Sequence, residues 1–417
     1  MQAPKITRLT AENYKAFRGA VGFDVAPLTI LFGRNGSGKS ALLRLPAAIA
    51  SGVNFTTSNT PGLPLHLDSD LILGHSLRSF VHGGDAGTFT IGIGLSTGST
   101  CTSLDVTIRR DPRSTLRSPA QWIDHWTLNT DGITVGAVRW ADNAYRVDVG
   151  AADPPHSFAG LLPLLADGSP HPWTSAFRPP PRVVHLSATR GAPGSDFTPY
   201  GPLRALEVGL TGEATRQVLG ALHARSDDER ILATIREAIE SCFDVDLRVV
   251  EIGEGSVIGT TIECRPRNRS TWLPLREMGT GLLHALPLIV QAAVAAHPNG
   301  DKSPTALLTC EEPEAHCHPA IQAKLADVVL NTALAGTPTM VETHSETLVM
   351  RVRRRVAEGR ISPSDVALYW IDDEEESTGV RRLSLDERGR VADWPEGWFD
   401  TALREASAIH RAMVRGA

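Results

Sequence analysis

Two stretches of the 417-residue chain concentrate groups able to handle phosphate and metal. The first, Gly33-Arg34-Asn35-Gly36-Ser37-Gly38-Lys39-Ser40, follows the apolar run Leu28 to Phe32 and precedes a helix-like stretch from Ala41. Glycines at that spacing let backbone amides curl around phosphate oxygens, and a helix opening at the last glycine adds the positive end of its dipole. Lys39 would reach the β and γ phosphates, and the Ser40 hydroxyl would ligate magnesium. A flexible Gly/Ser turn would leave a lysine and a serine at the start of a helix unexplained. Gly33 to Ala41 are therefore expected to bind a nucleotide.

The second stretch, TALLTCEEPEAHCHP (Thr305 to Pro319), can be taken two ways. Its cysteines, glutamates and histidines could form a transition-metal cluster, or an apolar strand could deliver acidic groups to a nucleotide's magnesium. A cluster needs His316, Cys317 and His318 to converge, yet sequence neighbours point apart on either regular element, and no other Cys/His group completes a four-ligand set. A nucleotide site needs a strand ending in acid, one group for the metal and one to orient water. TALLTC followed by Glu311-Glu312 supplies both, so the stretch reads as a Walker B segment.

The elements that must position these groups sit in a chain that is 41% apolar, enough to bury the core of two domains or of one large domain with insertions. No apolar stretch is long enough to span a bilayer, and MQAPKITRLT lacks a signal-peptide layout, so a cytoplasmic protein without membrane contact is expected. Five scattered cysteines encode neither a disulfide framework nor a zinc ribbon. With a net charge of −6, contact with nucleic acid would need a local basic patch, for which RPRNR (Arg265 to Arg269) and RVRRR (Arg351 to Arg355) are candidates. For both, solvated helix and loop charges are the favoured reading.

EEPEAHCHP resembles the Walker B and D-loop region of the bacterial OLD-like ATPases, relatives of the ABC, SMC and RecF ATPases. The resemblance implies ATP and Mg2+ as ligands, Glu311 with Ser40 at the magnesium, Glu312 as catalytic carboxylate, and His318 where ABC proteins carry the D-loop aspartate. REMGTGLLHALPLIVQAAVAA (Arg276 to Ala296) resembles the family's signature segment. In ABC-type dimers that turn meets the nucleotide bound by the other subunit, which makes Gly279, Thr280 and Gly281 contact candidates. Leu283-His284 stands where relatives carry Ser-Gln. PTMVETHSETLVMRV (Pro338 to Val352) begins as an apolar strand, and His344 matches the switch histidine that senses the γ-phosphate. NYKAFRG (Asn13 to Gly19) resembles the opening strand, with Lys15, Phe17 and Arg18 as candidates near the base.

The implied fold is α/β, an ABC-type P-loop NTPase head with a mixed sheet, an antiparallel β subdomain and a helical lobe, plus a small C-terminal α+β domain. The expected division is residues 1–350, with an insertion at about 85–245, and 351–417. Alternating strands such as TFTIGIGL and LDVTIRR fill the insertion instead of a coiled coil. FRPPPR (Phe177 to Arg182) reads as a linker, followed by a strand, VVHL, delivering Arg190 to a loop. DLRVVEIGEGSVIGTTIECRP reads as a hairpin turning near Gly253 to Ser256, and the acidic run Asp372 to Glu376 as a hairpin tip. GRVADWPEGWFD (Gly389 to Asp400) resembles the closing motif of a standalone subgroup without the Toprim nuclease domain. The expected function is an ATPase acting as a dimer or higher homo-oligomer, regulating a separate nuclease or toxin in anti-phage defence as Septu-type ATPases do. The alternative is a RecF- or SMC-like DNA-maintenance ATPase with DNA as its partner.

Overall fold

The structure, a computed structural model, describes residues 4–54, 64–65, 80–84, 87–110, 121–141, 144–150, 153–191, 198–199, 205–225, 228–254, 257–297, 305–374, 377–395, 398 and 401–415. Gly255, Ser256, Glu375, Glu376 and parts of 389–400 lie outside the described residues.

The chain opens with β1 (Lys5–Glu12), β2 (Val21–Asp24) and β3 (Leu28–Gly33), which runs through the glycine loop into α1 (Lys39–Gly52). Antiparallel strands β4 (Thr88–Thr97), β5 (Thr100–Arg110), β6 (Gln121–Thr130), β7 (Ile133–Ala141) and β8 (Ala144–Val149) follow, then the short pair β9 (Ser157–Ala159) and β10 (Leu162–Leu164). Next come β11 (Val183–Leu186), β12 (Thr198–Pro199), α2 (Thr215–His223), α3 (Glu229–Phe243), the hairpin of β13 (Val245–Glu254) and β14 (Val257–Pro266), and β15 (Leu273–Pro274). The remainder is α4 (Thr280–Ala296), β16 (Leu307–Glu311), α5 (Pro319–Leu334), β17 (Thr339–Thr343), α6 (Glu346–Ala357), the hairpin of β18 (Val366–Glu374) and β19 (Ser377–Leu383), and α7 (Thr401–Arg415).

The central sheet has the order β11-β16-β17-β3-β18-β19, parallel except for the last pair. β3 is buried along its whole length, the continuous apolar run of a parallel strand covered on both faces. Alternation then sorts its side chains. Leu28, Ile30 and Phe32 join a core with Leu286, Leu325 and Val349 of the helices, while Leu31 joins Leu42 and Ile49 of α1 and Ile91 and Trp126 of the antiparallel strands. α1 thus lies between the central sheet and a second, antiparallel sheet of order β2-β1-β4-β5-β6-β7-β8. The strands of the insertion extend the chain's own opening strands.

The expected boundary at 350 falls within α6, and beyond it β18 continues the central sheet beside β3, pairing Val366 with Leu28 through Ile371 with Gly33. The physical reason is that both faces of VALYWI are apolar: Leu368 and Trp370 enter the helical core, whereas Ala367, Tyr369 and Ile371 enter the core around α1. The fit to β3 is close enough that a β-carbon on Gly33 would lie 2.0 Å from the Ile371 carbonyl oxygen.

A chain ending at Gly359 should therefore lose cooperative thermal unfolding, read by circular dichroism, because β3 would expose one edge and both cores would open. A chain ending at Trp398, which lacks only the segment containing α7, should keep it. Equal melting of both would mean that β18 is dispensable to the head.

Candidate functional site

The glycine loop is shaped by what lies beneath it. Gly38 sits at φ +87°, and a β-carbon there would meet Ala16 Cβ at 2.9 Å and the Phe17 ring at 3.0 Å. Any other residue would push the loop off this support. Phe17, a candidate for the nucleotide base, is instead wholly buried under the loop. Lys15 Nζ lies 5.0 Å from the Phe80 ring centroid, and burial together with Arg44 pushes its pKa down to about 8 against the pull of Glu311. Arg18 is exposed.

Lys39 opens α1, is 2% exposed, and donates to the carbonyl oxygens of Gly33 (3.2 Å) and Arg34 (2.5 Å). Burial lowers its pKa, and Glu342 and Glu312 oppose that. A cavity of about 510 Å³ opens beside it, lined by Asn35, Gly36, Gly38, Lys39, Ser40, Glu312, Glu342 and His344. Of the expected nucleotide contacts, Gly33, Arg34, Ser37 and Ala41 build the loop without lining this cavity, and Gly279, Thr280 and Gly281 do not line it either.

Glu312 reaches the cavity because it adopts a left-handed backbone, φ +39°, and donates its amide to the Glu342 carbonyl (2.9 Å). A non-glycine residue there is strained and must be held by its surroundings. Two neighbours do so. Glu314 Oε1 accepts from Thr343 Oγ1 (2.7 Å), the His344 amide (2.8 Å) and the Ser345 amide (3.1 Å), tying the acidic turn to the turn that carries His344. The fully buried Arg190 donates to the carbonyl oxygens of Ser187 (2.6 Å), Glu311 (2.6 Å), Glu312 (2.7 Å) and, across in α4, His284 (3.0 Å). His344 is exposed at the cavity; its pKa is lowered by desolvation and by Lys39, with Glu312 opposing.

Glu311, the carboxylate expected at the metal, does not line this cavity. Glu311 is 3% exposed and engaged by Arg44 through Nε and, at 2.7 Å, Nη2; the Ala188 amide donates to Oε2 (3.0 Å), and His185 Nε2 stands 3.3 Å from Oε1. Burial disfavours its charge, but His185 and Arg44 outweigh that and hold its pKa at about 2. The Ser40 hydroxyl donates instead to Glu342 Oε1 (2.9 Å). Burial pushes Glu342 up to about 7, against that hydrogen bond and with the charge of Glu311. Glu342 was legible as a lone acid in the apolar strand TMVET, yet that strand pointed first to His344.

The turn expected to act across subunits is solvent-facing. Gly279 and Thr280 are exposed, Gly279 forms the N-cap of α4, and no side chain caps that helix end. Behind it, a β-carbon on Gly281 would lie 2.9 Å from the His316 carbonyl oxygen, and the His284 and His316 rings are 4.2 Å apart. Cys310 is buried in β16, Cys317 packs against the Gly281 carbonyl, and His318 caps α5 by accepting from the Ala320 amide (3.3 Å). The basic runs are matched by acids: Arg265 with Asp246, Arg267 with Glu240, Arg351 and Arg355 with Asp327, and Arg354 with Glu358.

Residues 220–349 match the AAA ATPase domain family, and residues 361–409 match a family described as a protein of unknown function. No curated protein matches the chain. Among solved structures, the fold is similar to an Smc head domain with an extended coiled coil bound to the C-terminal domain of ScpA, from Pyrococcus furiosus, at 12% identity, over 98% of this chain and 100% of that one, with a TM-score of 0.52. It is also similar to an SmcHead bound to the C-winged helix domain of ScpA, at 14% identity, over 92% and 98% of the two chains, with a TM-score of 0.50. The chain has the fold of an ABC-type P-loop head and is an ATPase. No helix among the described residues is long and apolar enough to cross a membrane.

Replacing Arg190 by Met should destabilise the protein by about 3 kcal/mol or more, since it strands several buried carbonyls at once. Urea denaturation measures this, and a change below about 1 kcal/mol would show that the guanidinium bonds are not needed to hold the turn.

Proposed function

We propose that two copies of this chain form composite ATP sites, each joining the cavity of one head to the Gly279 to Gly281 turn of the other. The observation that supports this most is the α4 N-terminus. It opens at exposed residues with no side-chain cap, an arrangement suited to phosphate, yet it does not line the phosphate cavity of its own chain. A second head is the way to bring the two together.

In this reading Lys39 leaves its loop carbonyls for the β and γ phosphates, and the amides at the start of α1 hold the oxygens. Glu312 orients the attacking water in line with the bond that breaks, and His344 donates to the γ-phosphate. Magnesium fits the residues present: the Ser40 hydroxyl is a hard oxygen donor, and beside it Glu342 Oε2 is buried without a hydrogen-bond partner among the described residues. When bound, magnesium would neutralise developing charge on the phosphate oxygens. The resemblance of the acidic and signature segments to OLD-like and Septu-type ATPases favours a sensor role, in which ATP turnover regulates a separate nuclease or toxin. The likeness to SMC heads supports a second reading, DNA maintenance. A neighbouring nuclease or toxin whose activity follows ATP turnover is the result the first expects; stimulation of turnover by DNA without such a neighbour is the result the second expects.

Mixing two inactive variants tests the composite site. Lys39→Ala lacks its own phosphate contact, and Gly279→Asp, at a position where a β-carbon meets nothing within 4 Å, sets a negative charge against the partner's phosphate, so each alone should be inactive. Their heterodimer holds one intact site, so an equal mixture should regain about a quarter of wild-type ATPase activity by statistical pairing. No recovery by folded variants that exchange subunits would count against sites shared between chains.

A further inference from the structure

We propose that Glu342, and not Glu311, is the carboxylate that holds the magnesium ion of this site. The inference rests on the composite ATP site only in requiring nucleotide beside Lys39. β17 lies between the acid-bearing strand β16 and the phosphate-loop strand β3, with Glu311 paired to Glu342 and Glu342 paired to Leu31. Glu342 is therefore one strand spacing from the loop strand and Glu311 two, each spacing about 4.8 Å. The contact follows that order: Ser40 Oγ is 2.9 Å from Glu342 Oε1.

The two carboxylates also differ in what they have left to offer. Both oxygens of Glu311 are taken, by Arg44 and the Ala188 amide, with His185 beside them. Turning Glu311 toward the cavity would leave the Arg44 guanidinium, whose side chain is only 14% exposed, without its counter-charge. Glu342 has one oxygen on the serine hydroxyl and a second, Oε2, that is buried and accepts no hydrogen bond among the described residues. It lines the cavity, as Glu311 does not. A hydroxyl, a carboxylate with an unused oxygen and incoming phosphate oxygens make the hard-oxygen set that magnesium takes. Glu311 then acts as the clamp that fixes α1 to β16.

Manganese, bound with a non-hydrolysable ATP analogue and followed by electron paramagnetic resonance, tests the assignment without turnover. Glu342→Gln keeps the size of the side chain and an acceptor for Ser40. It should bind the analogue in EDTA as the wild type does, while its affinity for manganese in the ternary complex falls by at least about tenfold. Glu311→Gln should lower the unfolding midpoint and leave manganese affinity in the folded protein within about twofold of wild type. Unchanged manganese affinity in Glu342→Gln, or a loss as large in folded Glu311→Gln, overturns the assignment. Wild-type protein that fails to bind the analogue at all would instead remove the ATP site itself, and the assignment with it.

Discussion

Two buried carboxylates set face to face on neighbouring parallel strands dominate this head. Glu311 and Glu342 are paired across β16 and β17 and are 3% and 4% exposed. Like charges so placed cannot both be ionised without separate compensation. The protein resolves this asymmetrically. Arg44 and His185 hold Glu311 charged, whereas burial pushes the pKa of Glu342 up to about 7 against the hydrogen bond from Ser40. Helix α1 carries the partners of both, Ser40 for Glu342 and Arg44 for Glu311. Four residues apart, they lie on one face of the helix.

Around that pair, the groups of the cavity are coupled through backbone bonds. Glu312 stands in a left-handed conformation, and its carbonyl is held by Arg190, which also grips α4 at His284. Glu314 holds the amides of His344 and Ser345. The acidic turn, the histidine turn and the helix that opens at Gly279 are thus linked by two buried side chains. Glu312 and His344 are thereby joined to α4 by a continuous run of hydrogen bonds.

How much of this was legible in the sequence depended on the range of the interaction. The phosphate loop was readable because its requirements are local: glycines at set spacing, then lysine and serine at a helix start. The hairpin of β13 and β14 and the strand alternation of β4 and β5 were readable for the same reason. The place of Glu311 was not, because Arg44 lies 267 residues away in the chain and the strand order that brings Glu342 next to the loop strand leaves no local trace. Arg190 was visible as an arginine after a strand, but the four carbonyls it serves come from three separate segments. VALYWI was visible as a strand; that it closes the ATPase sheet, and not a separate domain, depended on both of its faces finding a core.

The central claim is that the site in one chain is unfinished and that a second head completes it. The direct measurement is the mass of the full-length Glu312→Gln protein by light scattering, with and without ATP and magnesium. That variant should bind ATP without consuming it, so the nucleotide stays as glue between heads. The mass should rise by at least one protomer on adding ATP and magnesium and return when Gly279→Asp is introduced. A folded, ATP-bound Glu312→Gln protein whose mass does not change, or one that turns ATP over at a near-normal rate, would contradict it.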